Sequence, residues 1–238
     1  MTDSCRTEFD ARAALRSTEC SDAKLCVQFY DGWAENYEED CNMMCYRGPH
    51  LAAHFLSDNF SGSRGEARVL DVGCGSGWVA KLMVELGFKH FVGVDGSQGM
   101  LDLAAKTGLY KELKLALLGT EPLPAETGTF DVVILVGALN PESAPVSVVR
   151  ELCNAAKPGG YVCMARGNQT KKNEFKKDLE RELQLMEEEG LWSPAGLKQA
   201  DRYMEDPHLN SERVKELPKE ERYITGTVYL YKKSIHSN

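Results

Sequence analysis

Residues Val69, Leu70, Asp71, Val72, Gly73, Cys74, Gly75, Ser76 and Gly77 form an apolar run that ends in three glycines at alternate positions, and a helical pattern opens at Trp78. An apolar run of this kind reads as a buried parallel strand, covered on both faces. Glycines without a Cβ let the main chain turn tightly and let a ligand approach it closely. The helix that follows presents free N–H groups and a positive dipole end to a polar or anionic group. This is the layout of a nucleotide-type site, and spacing narrows the choice of nucleotide. A dinucleotide finger needs G-x-G-x-x-G, whereas here the third glycine falls one residue early, at Gly77, and Trp78 stands in its place. No G-x-x-x-x-G-K-[ST] stretch is present to cradle a pyrophosphate, which argues against an NTPase. A second strand, Phe91-Val92-Gly93-Val94-Asp95, ends in a carboxylate twenty positions beyond Gly75. In a βαβ unit an acid at that point faces a ribose diol. Gly96, Ser97 and Met100 then open the next helix, with Met100 placed to pack on a purine face.

The run Asp71-Val72-Gly73-Cys74-Gly75-Ser76-Gly77 resembles motif I of the class I S-adenosylmethionine-dependent methyltransferases, D-x-G-x-G-x-G. Asp95, Ser97 and Met100 match that family's D-x-S-x-x-M arrangement, Phe130–Leu135 resembles its fourth strand, and Lys157-Pro158-Gly159-Gly160 resembles the turn into its fifth. The resemblance covers residues 26–165 well and the remainder loosely. It implies an α/β, Rossmann-like fold with a seven-stranded, mostly parallel sheet, helices on both faces and an N-terminal helical lid. It implies S-adenosyl-L-methionine as cofactor and S-adenosyl-L-homocysteine as product, with contacts at Asp71, Gly73, Gly75, Asp95, Gly96, Ser97 and Met100. Val136, Gly137 and Leu139 fall where the methionyl end and the substrate would meet. One departure stands out. Many relatives carry an Asp before a Leu-Pro pair, where it meets the adenine amino group. Aligning Leu123-Pro124 with that pair puts Gly119 there, so adenine recognition passes to the backbone of Gly119 and Thr120 or to the Glu121 side chain.

The elements that must position these residues follow from periodicity. Residues 1–25 are polar and charged and read as a frayed or partly helical arm. Residues 26–238 read as one domain, divided into a helical lid over 26–60, a cofactor-binding core over 66–165, and a C-terminal helix with the last strands over 166–238. Tyr30, Trp33 and Tyr37 share one face of a helix expected over Val27–Tyr37. Either they pack that helix onto the domain, or Tyr30 and Tyr37 cover the sulfonium through cation–π attraction, with Arg47 pairing with the methionyl carboxylate. A second helix is expected over Pro49–Leu56. Phe175, Leu179, Leu183 and Met186 mark a long amphipathic helix that stops at Gly190. Strands are expected over Leu197–Met204 and Tyr223–Tyr231.

With 28 basic and 36 acidic residues the net charge is −8, which repels phosphate backbones. The basic cluster Lys171, Lys172, Lys176 and Lys177 is interleaved with Glu174, Asp178 and Glu180, so it reads as a solvated helix face and direct nucleic-acid binding is not expected. No apolar run reaches membrane-spanning length. The eight cysteines, without a secretory leader, read as reduced thiols in a cytoplasmic chain, with the nucleus left open. Cys41, Cys45, His50 and His54 have metal-ligand residue types, but only four residues separate the two pairs, too few for a Cys2His2 finger, and no metal is expected. Asn140-Pro141-Glu142 lacks the second Pro and the aromatic of the [DNS]-P-P-[YFW] motif of amino-methylating nucleic-acid enzymes. No catalytic residue is assigned. The expectation is a monomeric methyltransferase acting on a small molecule, with two alternatives: a protein or RNA methyltransferase that needs a partner, or an S-adenosylmethionine-binding protein without transfer activity.

Overall fold

The computed structural model describes residues 6–18, 20, 22–168 and 173–235; Lys171 and Lys172 of the basic cluster lie outside them. Four helices come first, α1 Glu8–Ser17, α2 Ala23–Trp33, α3 Tyr37–Met43 and α4 Gly48–Asn59. Strands and helices then alternate: β1 Arg68–Val72, α5 Trp78–Glu85, β2 His90–Asp95, α6 Gln98–Lys106, β3 Tyr110–Leu115, β4 Phe130–Val136, α7 Val148–Ala155, β5 Ala156–Gly167, α8 Asn173–Glu188, β6 Trp192–Glu205, α9 Ser211–Glu216 and β7 Tyr223–Lys233. The seven strands form one sheet in the order β3-β2-β1-β4-β5-β7-β6. Pairs among β1 to β5 are parallel, and β7 runs antiparallel between β5 and β6.

Period-two alternation sends successive strand side chains to opposite faces. Leu70, Val72, Val133, Leu135, Val162 and Met164 pack on one face with Leu152 of α7 and Leu179 and Leu183 of α8. Val69, Val132, Ile134, Cys163 and Ala165 pack on the other with Ala52 and Leu56 of α4 and Met83 of α5. The chain winds outward from β1 to β2 and β3, then returns to β4 on the other side. That reversal leaves a crevice beyond the carboxyl ends of β1 and β4.

Several elements differ from their sequence expectation. The polar arm contains α1, started by a capping box between Thr7 and Asp10. It docks through Arg12, 6% exposed, which donates to Glu205 and to the Asp206 carbonyl as well as to Glu8 of its own helix, and through Ala11 and Leu15, which pack into the core. Two apolar contacts and one buried ion leave little apolar period to read. The helix expected over Val27–Tyr37 breaks at a 3-10 turn, Ala34–Asn36, so Tyr30 and Trp33 end one helix and Tyr37 opens the next. Their rings still cluster, 5.8 Å from Tyr30 to Trp33 and 5.1 Å from Trp33 to Tyr37. Strand β6 starts at Trp192 rather than Leu197. It carries Pro194 and two register shifts, which an edge strand tolerates because one side of its backbone has no partner. Cys20 and Cys26 are paired in a disulfide, against the expectation of reduced thiols throughout, whereas Cys41, Cys45, Cys74, Cys153 and Cys163 are free.

Candidate active site

A cavity of about 200 Å³ opens over the β1–β4 crevice. Its floor comes from the loop after β1 and the ends of β2, β4 and β5. Its roof comes from α2 and α3, and a side wall from β6 and β7. Gly73, Gly75 and Gly77 all take left-handed conformations, with φ of 65°, 53° and 85°, that only glycine adopts at little cost. The loop holds itself: the N–H groups of Gly73 and Cys74 donate to the Val94 carbonyl, and that of Gly77 to the Cys74 carbonyl. The Gly75 N–H donates to Asp95 Oδ2 at 2.8 Å, and the Ser97 N–H to Asp95 Oδ1 at 2.9 Å. With those four donors satisfied internally, the loop offers a ligand room rather than hydrogen bonds. A Cβ on Gly75 would meet nothing within 4 Å.

Asp95 is thus pinned through both oxygens, each keeping lone-pair capacity toward the cavity. Burial pushes its pKa up, against the lowering effect of the Ser97, Gly75 and Gly96 N–H groups. Ser97 caps α6, accepting from the Met100 N–H at 3.1 Å, and Met100 is buried against the cavity.

Of the positions read from sequence, Tyr30, Tyr37, Gly73, Gly75, Asp95, Gly96, Ser97, Met100 and Val136 line this cavity, and five do not. Asp71, within β1, is 1% exposed and accepts from the Tyr110 hydroxyl at 2.6 Å. Burial pushes its pKa up to about 7. Arg47 is exposed at the start of α4, and only its backbone is engaged, donating to the Tyr203 carbonyl at 2.8 Å. Its neighbour Tyr46 lines the cavity instead. Gly119, Thr120 and Glu121 form an exposed turn in which Gly119 packs against Pro145, and the Thr120 and Glu121 N–H groups both donate to the Leu117 carbonyl. Leu117 and Leu118, two residues earlier, line the cavity, so the alignment on Leu123-Pro124 runs slightly long.

Three side chains that the sequence reading passed over complete the enclosure. The Tyr46 and Tyr203 hydroxyls lie 3.5 Å apart, their rings edge to face. A Cβ on Gly137 would collide with the Tyr46 hydroxyl. Arg166, at the carboxyl end of β5, is 3% exposed, and its Nε and Nη1 find no hydrogen-bond partner among the described residues. A cation ending an otherwise apolar strand at the carboxyl edge was a readable signal; Tyr203 gave none. Burial raises the pKa of Tyr30, Tyr37, Tyr46 and Cys41, and that of Tyr203 to about 12. Among the described residues no three His, Cys, Asp or Glu side chains are grouped to hold a metal.

A methyltransferase domain family model matches residues 63–220. Methyltransferase-like protein 27 of Homo sapiens is 40% identical over 184 residues, which are 77% of this chain and 75% of that protein. The tRNA U34 carboxymethyltransferase of Cellvibrio japonicus (strain Ueda107) is 32% identical over 120 residues, 49% of this chain but only 34% of that enzyme. Among solved structures, a chain of the Haloferax volcanii complex between the Trm112 methyltransferase activator and a methyltransferase superposes with a TM-score of 0.62. At 18% identity, over 88% of this chain and 97% of that one, it shows the shared fold. The family match over most of the sheet, the 40% identity and the glycine loop over the β1–β4 crevice agree, and the chain belongs to the class I S-adenosylmethionine-dependent methyltransferases.

Proposed function

We propose that the cavity holds S-adenosylmethionine and that the enzyme methylates a small molecule. The observation that supports this best is the enclosure itself, with Asp95 at one end, Arg166 at the other and aromatic rings between. The residues present fit the cofactor. Asp95 accepts the ribose hydroxyls, Leu117, Leu118 and Met100 flank the adenine, and the open surface at Gly73 and Gly75 admits the methionyl chain. Tyr30, Trp33 and Tyr37 place π faces over the sulfonium. Gly96, Ser97 and Val136 shape the floor. Arg47, Asp71, Gly119, Thr120 and Glu121 are left out of this assignment because they do not reach the cavity.

When bound, S-adenosylmethionine supplies an activated methyl, whose bond to sulfur breaks as the acceptor atom bonds to carbon, with the electron pair staying on sulfur. The protein contributes alignment and exclusion of water. None of the lining phenols or the Cys41 thiol is ionised at neutral pH, since burial raises them all. They act as walls and neutral hydrogen-bonding groups, and the acceptor brings its own lone pair.

The second reading is an RNA or protein methyltransferase working with a partner. The names of the tRNA-modifying relative and of the Trm112 complex motivate it. A net charge of −8 and the absence of a described basic surface favour the first reading. Incubating the protein with methyl-labelled S-adenosylmethionine in a tissue extract, followed by size fractionation, separates the two. Label in the small-molecule fraction is the expected result, and label in RNA or protein would transfer the proposal to the alternative.

A further inference from the structure

Two of the three guanidinium nitrogens of Arg166, Nε and Nη1, are buried without an acceptor among the described residues. The residue is 3% exposed, and its guanidinium lies 5.4 Å from the Phe175 ring centroid. Desolvation lowers its pKa, and the Tyr229 and Tyr203 phenols, the Glu180 carboxylate and a hydrogen bond with Tyr229 only partly oppose this. A buried cation is costly unless a partner neutralises it, and breaking such a pairing is worth several kcal/mol in ordinary proteins. Here no described carboxylate pairs with Nε or Nη1, while the side chain opens on the cavity.

Its place in the sheet says what the missing partner is. Asp95 ends β2 and Arg166 ends β5, with β1 and β4 between them. Three strand spacings separate the two ends, about 14 Å. The cofactor's ribose occupies one end, so Arg166 stands at the other, where the methyl acceptor enters. Among the described residues that line the cavity Arg166 is the one Lys or Arg, and Asp95 and Glu142 are the acids. With cofactor bound, the guanidinium and the sulfonium face the two carboxyl groups of Asp95 and Glu142, so a monoanion adds less uncompensated negative charge than a phosphate dianion.

Resting on the reading of this cavity as the methyl-transfer site, we propose that Arg166 binds the carboxylate of the acceptor, and that the substrate is a small monocarboxylic acid. The charged donors grip the carboxylate, and the aromatic and aliphatic walls receive the remainder of the molecule. The net charge of −8 gives no long-range attraction to anions, so selection for the carboxylate rests on this one contact.

The test uses the full chain saturated with S-adenosylhomocysteine and a fragment library of monocarboxylic acids, their primary amides and the corresponding phosphate monoesters. Binding is read by thermal shift and then by calorimetry, for wild type, Arg166→Gln and Arg166→Lys. Carboxylates should be enriched among wild-type binders, and Arg166→Gln should weaken them about tenfold or more. Arg166→Lys, which keeps the charge, should recover part of that loss. S-adenosylhomocysteine affinity should be unchanged in both variants. Arg166→Gln should unfold at the same temperature as wild type or higher when no acid is present, since it removes an unpaired buried charge. No enrichment of carboxylates, preference for phosphate esters, or lost stability with no effect on carboxylates would each overturn the proposal. Loss of S-adenosylhomocysteine affinity in Arg166→Gln would instead assign the guanidinium to the methionyl carboxylate. Failure of the wild type itself to bind S-adenosylhomocysteine would strike the parent reading, and it is seen before any acid is added.

Discussion

Asp95 is positioned by the protein before any ligand arrives, its two oxygens tied to the Gly75 and Ser97 N–H groups. A carboxylate fixed in this way loses little further freedom on binding a diol. Asp95→Ala should therefore weaken S-adenosylmethionine binding by roughly 1.5–3 kcal/mol per charged hydrogen bond lost, and calorimetry reads it directly. Unchanged affinity would remove Asp95 from the site. Asp71 has a different role. Burial holds it protonated up to about 7, above its ordinary 3.8. Between those values unfolding releases its proton, so its contribution is full at the acid end and declines as pH rises to about 7. Asp71→Asn keeps an acceptor for the Tyr110 hydroxyl and cannot ionise. In denaturant titrations the variant should gain on wild type steadily from about pH 4 to about pH 7 and hold level above. The motif placed both aspartates in sequence but did not separate them. Strand alternation does, because Asp71 lies within β1 and turns toward Tyr110, whereas Asp95 ends β2 at the open edge. Arg166 left a signal in the sequence, a cation closing an apolar strand, whereas Tyr203 was not legible as a site residue, since β6 reaches the cavity only after the sheet is assembled.

At the scale of elements, the roof is latched to the floor. Asp31 on α2 accepts from the Ser97 hydroxyl at 2.6 Å and from the Gly99 N–H at 2.9 Å, adding a carboxylate to the N-terminus of α6. Glu38 on α3 accepts from the Ser76 hydroxyl and from Lys81 Nζ at 2.7 Å. Both latches are polar and partly exposed, the kind that opens at low cost. Residues 26–47 should exchange amide hydrogens faster without S-adenosylhomocysteine than with it. Asp31→Ala should accelerate exchange in the free protein while leaving the core strands unaffected. Equal protection with and without ligand would make the roof plain core. The aromatic stripe was readable at this scale and the break after Trp33 was not, because the spacing of Tyr30, Trp33 and Tyr37 also fits one continuous helix. Strands β1, β2, β4 and β5 were readable because they are mostly buried, and buried parallel strands announce themselves as apolar runs, whereas the edge strand β3 is half-buried or exposed and carries no such run.

At the scale of the whole molecule, the charge of −8 predicts weak, salt-sensitive contact with nucleic acid. A mobility-shift assay at physiological salt should find no submicromolar RNA or DNA complex, and finding one would favour the partner-dependent reading. The cavity takes walls from α1, α2, α3, the ends of β1, β2, β4 and β5, and from β6 and β7, so it exists only when six of the seven strands and the N-terminal helices are assembled. A ligand that binds only that state raises global stability by about 2.7 kcal/mol at a hundredfold excess over its dissociation constant, and one cooperative melting transition should shift upward as a unit. Arg12 meets Glu205 across 193 positions of sequence, fastening the first described helix to β6. Synthesis runs from one end of the chain to the other, so the glycine loop and Asp95 leave the ribosome long before Tyr203 and Ile224 exist to close the wall behind them. Cofactor capture therefore waits for the finished chain, and a ribosome-stalled nascent chain displaying β1 to β5 alone should not retain S-adenosylhomocysteine.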